Sequence, residues 1–257
     1  YYGPGNDPLK AYGKTTDLTA MGGAQYVHTF DKCFFMPSDL TAGLEYNRDR
    51  LKDNMWGYDR HTDQTVNIYS AFLQNEWKND RWGILIGGRL DKHNMVDNVI
   101  FSPRANLRFN PTQNINLRLS YSSGFRAPQA FDEDMHIENV GGTVAMIERA
   151  KNLKEEKSQS FSASADMYHR FGVFQTNFLI EGFYTRLTDV FVLGEPYDRG
   201  DGILVKTRSN GPGAKVMGLT LEGKVAYLSI LQIQAGLTLQ RSRYDEPHKW
   251  HDDAPAE

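Results

Sequence analysis

The feature that most constrains this chain is a strict period of two in its apolar residues. In Asn114-Ile115-Asn116-Leu117-Arg118-Leu119-Ser120-Tyr121-Ser122, an extended backbone sends Ile115, Leu117, Leu119 and Tyr121 to one side. Asn114, Asn116, Arg118, Ser120 and Ser122 go to the other. A helix would set Arg118 among the leucines; a strand separates them. The run from Leu231 to Gln240 alternates as cleanly. The same pattern recurs along the whole chain and predicts strands at about 18–30, 38–50, 64–77, 81–93, 99–109, 113–126, 157–170, 174–192, 214–228 and 231–243. The run 203–209 reads as an outward extension of the ninth of these. Ala145 to Lys151 reads as a short helical turn.

Strand length and connection length then separate a membrane wall from a soluble sandwich. Soluble strands average about 5–6 residues, and these predicted strands are roughly twice as long, near the span a tilted membrane strand needs. Lys78-Asn79-Asp80, Asn110-Pro111-Thr112, Phe171-Gly172-Val173 and Leu228-Ser229-Ile230 read as tight turns. Residues 51–63, 127–156 and 193–213 read as long loops, with 94–98 a short exception on the same side. Tight turns on one rim and long loops on the other are the arrangement of outer-membrane barrels, whose long loops face outward. Mean hydropathy of -0.56 does not oppose this, because every second residue of such a strand is polar. The 13 Tyr and 14 Phe supply material for aromatic girdles, and Trp77, Trp82, Phe101, Phe109, Tyr121, Phe171, Phe174, Tyr184, Tyr227 and Tyr244 fall near strand ends. No run of apolar residues is long enough for a membrane helix.

If the leucine side meets lipid, the opposite side faces a lumen. That assigns Glu45, Arg89, Asp91, Asn116, Arg118, Glu181 and Glu222 to the inner face, with Ser160, Ser162, Ser164, Asp166, Gln232, Gln234, Thr238 and Gln240. A cation at mid-bilayer on the lipid side costs about 2–4 kcal/mol, so these charges point inward. Such a lumen is wet, or packed against a polar plug. A net charge of -3 leaves no basic field for nucleic acid. One cysteine, Cys33, excludes an intrachain disulfide and a multi-cysteine metal site; it reads as a small buried or lipid-facing side chain. The chain opens with Tyr1-Tyr2-Gly3-Pro4-Gly5 and has no signal peptide pattern.

Four segments, in order, resemble the TonB-dependent outer-membrane transporters, particularly those of Bacteroidetes. They are Ser102-Pro103-Arg104 through Arg108; Ser120-Tyr121-Ser122-Ser123-Gly124-Phe125-Arg126-Ala127-Pro128; Asn152 through Ser158; and Asn210-Gly211 with Val216 through Gly223. Lys154-Glu155 departs from the Pro-Glu usual there. The resemblance implies an antiparallel transmembrane β-barrel with a polar plug, importing a scarce solute under the drive of the TonB complex. It implies that the strands in hand are about ten consecutive strands of a roughly 22-stranded barrel. Residues 1–257 are then a piece of wall that begins and ends in extracellular loops, without the plug or a TonB box. Iron chelates, a siderophore or haem, are the implied cargo, with cobalamin the competitor. Expected partners are outer-membrane lipid, a small-molecule ligand, and the TonB complex reached through the plug; no cofactor is implied.

Ligand contact is expected in the extracellular loops. Trp56, Tyr58, Arg60 and His61 offer aromatic and cationic groups to a chelate or planar ligand, and His136 closes the acidic run Asp132-Glu133-Asp134. That run reads as solvated charge rather than a calcium loop, lacking a suitably placed Gly and terminal Glu. His28 and His93 read as lone, solvated histidines; metal ligands are unassigned. Arg126 is expected to pair with a lumen or plug carboxylate, and Pro128 to end its strand. The rival functions are a complete ten-stranded outer-membrane protease, with Asp59, His61, Asp91 and His93 as its acid and histidine groups, and an open structural barrel without uptake.

Overall fold

The computed structural model describes residues 13–56, 60–130, 138–140, 143–200 and 203–246. Ten long strands form one antiparallel sheet in chain order: β1 (Gly13–Cys33), β2 (Met36–Met55), β3 (Arg60–Lys78), β4 (Trp82–His93), β5 (Ile100–Thr112), β6 (Ile115–Arg126), β9 (Glu156–Phe171), β10 (Phe174–Thr188), β14 (Ala214–Tyr227) and β15 (Leu231–Tyr244). Five short strands lie in the two longest connections: β7 (Glu138–Val140) and β8 (Thr143–Arg149) in one, β11 (Phe191–Leu193), β12 (Tyr197–Asp198) and β13 (Ile203–Asn210) in the other. They form a second sheet in which β8 pairs in parallel with β13, a contact between the two loops.

This second sheet corrects three expectations. Residues 145–151 are not a helical turn: 145–149 are strand, because β13 supplies a backbone partner to each of Ala145 through Arg149. The run 203–209 does not extend the wall; it leaves the large sheet and becomes β13. The predicted strand 174–192 breaks at Asp189, whose φ of 55° turns the chain out of the sheet. Two smaller corrections concern the rims. Residues 51–63 are mostly strand, since β2 and β3 stay paired out to Met55 and Arg60. The strand β5 passes through Asn110-Pro111 by an irregularity between Phe109 and Thr112, which spares Pro111 a ladder bond.

Pairing register fixes the two faces of the large sheet. Leu117 stands between Phe109 and Ala165, and the same row continues through Ile180, Leu221 and Leu237. Leu18, Leu44, Leu73, Ile86, Leu90, Leu119, Leu219, Leu237 and Leu239 share that face and are all exposed in the isolated chain. An apolar face of this extent is unstable in water and suits hydrocarbon. Aromatic pairs border it at the short-turn rim: Trp82 on Phe109 at 4.2 Å, Phe174 on Tyr227 at 5.1 Å, Phe35 on Trp77 at 5.7 Å. Ten residues along β9 from Phe171, Phe161 packs on Tyr121 at 4.8 Å. That separation is about 33 Å along a strand, or about 25 Å along the membrane normal at a tilt near 40°, the height of a barrel's apolar band.

The opposite face is polar, and register places Glu45, Arg89, Asp91, Asn116, Arg118, Glu181 and Glu222 all on it. Its outer part is the best-buried region of the sheet: Leu51, Asp53, Gln64, Val66, Ser70, Asp91 and His93 lie there. The chain after β6 covers it. Ala130 N and Arg149 Nη1 both donate to Gln64 Oε1, at 2.8 Å each, and Arg149 Nη1 also reaches Pro128 O at 3.1 Å. Asn210 ties the two long connections together. Its side chain accepts from Lys154 N at 2.7 Å and donates to Lys154 O and Asp189 O at 3.1 and 2.8 Å. Two of the four family-like segments, 152–158 and 210–211, therefore meet.

Candidate functional site: a cationic cleft at the long-loop rim

The polar face first builds a closed network. Glu45, Ser70 and Asp91 are direct cross-strand neighbours on β2, β3 and β4. Arg89, two residues from Asp91 on the same face, donates from Nη1 to Glu45 Oε2 at 2.5 Å and from Nε to Asp91 Oδ1 at 2.8 Å. Its Nη2 donates to Ser70 Oγ at 2.8 Å, and Ser70 donates to Asp91 at 2.6 Å. One guanidinium thus satisfies two carboxylates and a hydroxyl, a geometry a lysine cannot reproduce. Further along, Arg118 Nε donates to Asn116 Oδ1 at 2.7 Å, and Asn116 donates to Asn110 at 2.8 Å. Glu181 stands opposite Ser164 and Thr220, and Glu222 opposite Leu179 and Gly236, away from both clusters.

Above the network, at the long-loop rim, a polar cleft of about 610 Å³ opens between the start of β3, the connection after β4, the chain after β6 and strand β8. Arg60, Arg149, Lys151 and Arg199 line it as cations, with His61, and Glu148 is the single lining carboxylate among the described residues. Most of these are held in place. Arg60 Nη2 pairs with the buried Asp53 at 2.6 Å and touches Met55 Sδ at 3.0 Å; Arg149 is anchored on Gln64; His61 Nδ1 bonds Asn54 Oδ1 at 2.9 Å. Among the described residues at the cleft, four cations outnumber Glu148 and the Asp53 that pairs with Arg60, an excess of positive charge that attracts anions.

Among the sequence-predicted contact residues, Arg60 and His61 line this cleft. Trp56 is exposed at the end of β2 and does not. Tyr58, Asp59 and the acidic run with His136 lie outside the described residues. Sequence reasoning missed Arg149, Lys151 and Arg199, which reach the cleft only because β8 and β13 pair. The charged run Glu148-Arg149 within an otherwise apolar segment was the available signal. His93 is a correction: it is fully buried, not solvated, and its Nδ1 accepts from Met95 N at 3.0 Å. Register also separates the proposed protease groups, since His61 is out of phase with Asp91 and His93 and stands at the rim, seven residues along β3 from Ile68, the partner of His93; Asp91 is occupied by Arg89 and Ser70. Arg126 stands opposite Glu156 with its guanidinium over the Phe191 ring at 5.6 Å. Cys33 is half-buried at the end of β1, and its carbonyl accepts from Trp77 Nε1 at 3.0 Å. Among the described residues no three His, Cys, Asp or Glu side chains converge on a metal position.

Comparison with known proteins agrees with this architecture. A family model described as TonB dependent receptor-like, beta-barrel matches residues 1–256. No curated protein sequence matches. Among solved structures, the siderophore receptor PirA from Pseudomonas aeruginosa superposes with a TM-score of 0.74 at 17% identity, over 91% of this chain and 44% of its own. A mutant of the ferric enterobactin receptor PfeA from the same organism gives 0.67 at 19% identity, over 89% and 36%. The FrpB iron transporter from Neisseria meningitidis (F5-1 variant) gives 0.65 at 16%, over 93% and 38%. At these identities the likeness is one of fold, and the chain spans less than half the length of each of these receptors.

Proposed function

The chain belongs to the TonB-dependent receptor-like β-barrel family, an outer-membrane family, and from that premise we propose that it forms part of the wall of a receptor that takes up an anionic iron chelate, most simply a siderophore. The carrying observation is the cleft at the long-loop rim, where Arg60, Arg149, Lys151 and Arg199 outnumber the one lining carboxylate among the described residues, Glu148. Ferric complexes of catecholate or carboxylate chelators carry net negative charge, so this field draws them in and holds them at the mouth. In this reading the polar face lines the lumen of a barrel of about 22 strands. The Glu45–Ser70–Arg89–Asp91 network then lies on the path below the cleft, and contact with the TonB complex runs through a plug outside this chain. The solved neighbours include siderophore receptors and an iron transporter, which supports the choice of cargo. The family and these neighbours are transport receptors rather than enzymes.

The test is uptake of radioiron chelates by cells whose full-length receptor carries this wall, with haem and cobalamin in parallel. A ferric catecholate should be taken up in a TonB-dependent manner, and Arg60→Ala and Lys151→Ala should each weaken its binding about tenfold, the size of one lost charge-assisted contact. Uptake of cobalamin alone, or chelate binding indifferent to both substitutions, would overturn this reading.

A further inference from the structure

His93 ends β4 at the long-loop rim and is fully buried. Across the strands it stands opposite Ile68, with Ser70 next along the same face of β3. The connection after β4 supplies Met95, a cleft-lining residue whose backbone N–H donates to Nδ1 at 3.0 Å. That bond puts the ring's own proton on Nε2, where it meets no hydrogen-bond partner. The chain after β6 lies over the ring: Gln129 faces it, and Ala127 packs with Val96 and Ile100. Among the described residues Asp91 is the charged group that bears on it, and Asp91 is already held by Arg89 and Ser70.

A neutral imidazole fits this site and an imidazolium does not. A second proton would have to sit on Nδ1, where it displaces the Met95 bond and sets two donors against each other. The ring would then hold a charge and two N–H groups away from solvent, and burial disfavours the charged form. The cover yields more easily than the wall. β4 is paired on both sides, with β3 and β5. Residues 127–130 are tied down through Gln64, whose Oε1 accepts from Ala130 N and from Arg149 Nη1, and through the Arg149 bond to Pro128 O. Pro128, Ala130 and Arg149 all line the cleft.

We propose that His93 is an acid-sensitive latch beneath the cleft: on protonation the cover at 127–130 lifts, Arg149 loses its anchors, and a bound anion is released. The open form takes up a proton that the closed form binds less readily. The closed form is therefore favoured as pH rises and lost as pH falls below the free imidazole range, about 6.5. His61 acts in the opposite sense. It is exposed on the cleft, and its protonation adds positive charge that favours an anion. The released anion rests on the uptake reading above; the latch itself needs no ligand.

The full-length receptor carrying this wall tests it in detergent, by hydrogen exchange at about pH 7.5 and about pH 5.5, either side of the imidazole range, with rates corrected for the intrinsic effect of pH. Peptides covering 127–130 and 143–149 should open roughly tenfold more often at the lower pH, while β3, β4 and β9 stay protected. His93→Asn keeps an acceptor for Met95 N and takes no proton, so it should lose most of that effect; His61→Gln should keep it. Heat-modifiable migration checks that each variant is folded, and His93→Gln replaces the Asn variant if that one is not. No acid effect in wild type, or the same effect in a folded His93 variant, would overturn the latch. Uniform opening across β3 and β4 would also overturn it, as acid unfolding of the wall. A ferric catecholate is then compared between wild type and His93→Asn at each pH, so that its own titration cancels. Wild type should lose roughly tenfold more affinity on acidification, the consequence of the same opening. Equal losses would overturn the coupling to the cleft, whereas no binding by wild type at either pH would overturn the uptake reading and leave the exchange result to decide the latch.

Discussion

At the scale of single residues, the most informative side chain is Arg89. It alone bridges Glu45, Ser70 and Asp91, and Asp91 is 3% exposed. Removing the guanidinium leaves that carboxylate buried beside another with no cation, which costs more than the bond itself contributed. Arg89 and Glu45 are each more than a third exposed, so solvent screens part of the loss. Arg89→Ala should therefore destabilise the folded protein by about 1–3 kcal/mol. Equilibrium urea unfolding in detergent, followed by tryptophan fluorescence, checks this; an unchanged midpoint would show that water or another group replaces the arginine. Alternation alone named Glu45, Arg89 and Asp91 as sharing a face, because parity survives any strand register. Their mutual contact was not legible, since it depends on which residue of β3 stands opposite which of β4. His93 was misread for a related reason: its burial comes from chain some 35 residues later, not from its own neighbours.

At the scale of elements, ten strands were legible because each obeys its own period of two. The short strands were not. Residues 143–149 carry no alternation, and their conformation is decided by a parallel partner about 60 residues away. Such non-local pairing leaves little trace in local sequence. The outward growth of β2 and β3 was hidden similarly, since 51–63 is rich in charge yet paired throughout its strand portions. The joint that holds the loop sheet to the wall is Asn210, with three hydrogen bonds to Lys154 and Asp189. Asn210→Ala should free those backbone groups and weaken the joint by about 1–3 kcal/mol. Hydrogen exchange in the peptides covering β8 and β13 should then quicken roughly tenfold or more, while β6 and β9 stay protected. Uniform quickening across the wall would mean that Asn210 supports the whole sheet rather than the joint.

At the scale of the whole molecule, the sheet presents one face to each of two solvents. The aliphatic face with its aromatic borders is built for hydrocarbon, and the face with Glu45, Arg89, Asp91 and Arg118 is built for water. The cleft sits at the long-loop rim of the polar face, above the Glu45–Ser70–Arg89–Asp91 network. The measurement that tests this most directly is a nitroxide scan of residues 115–126, one label at a time, in the full-length receptor with Cys33→Ser, reconstituted in lipid. Collision with oxygen should peak at Ile115, Leu117, Leu119 and Tyr121, and collision with a water-soluble nickel complex at Asn116, Arg118, Ser120 and Ser122, the two patterns out of phase with a period of two. Oxygen and nickel accessibilities that rise and fall together, or that repeat every 3.6 residues, would contradict a strand with lipid on one side and water on the other.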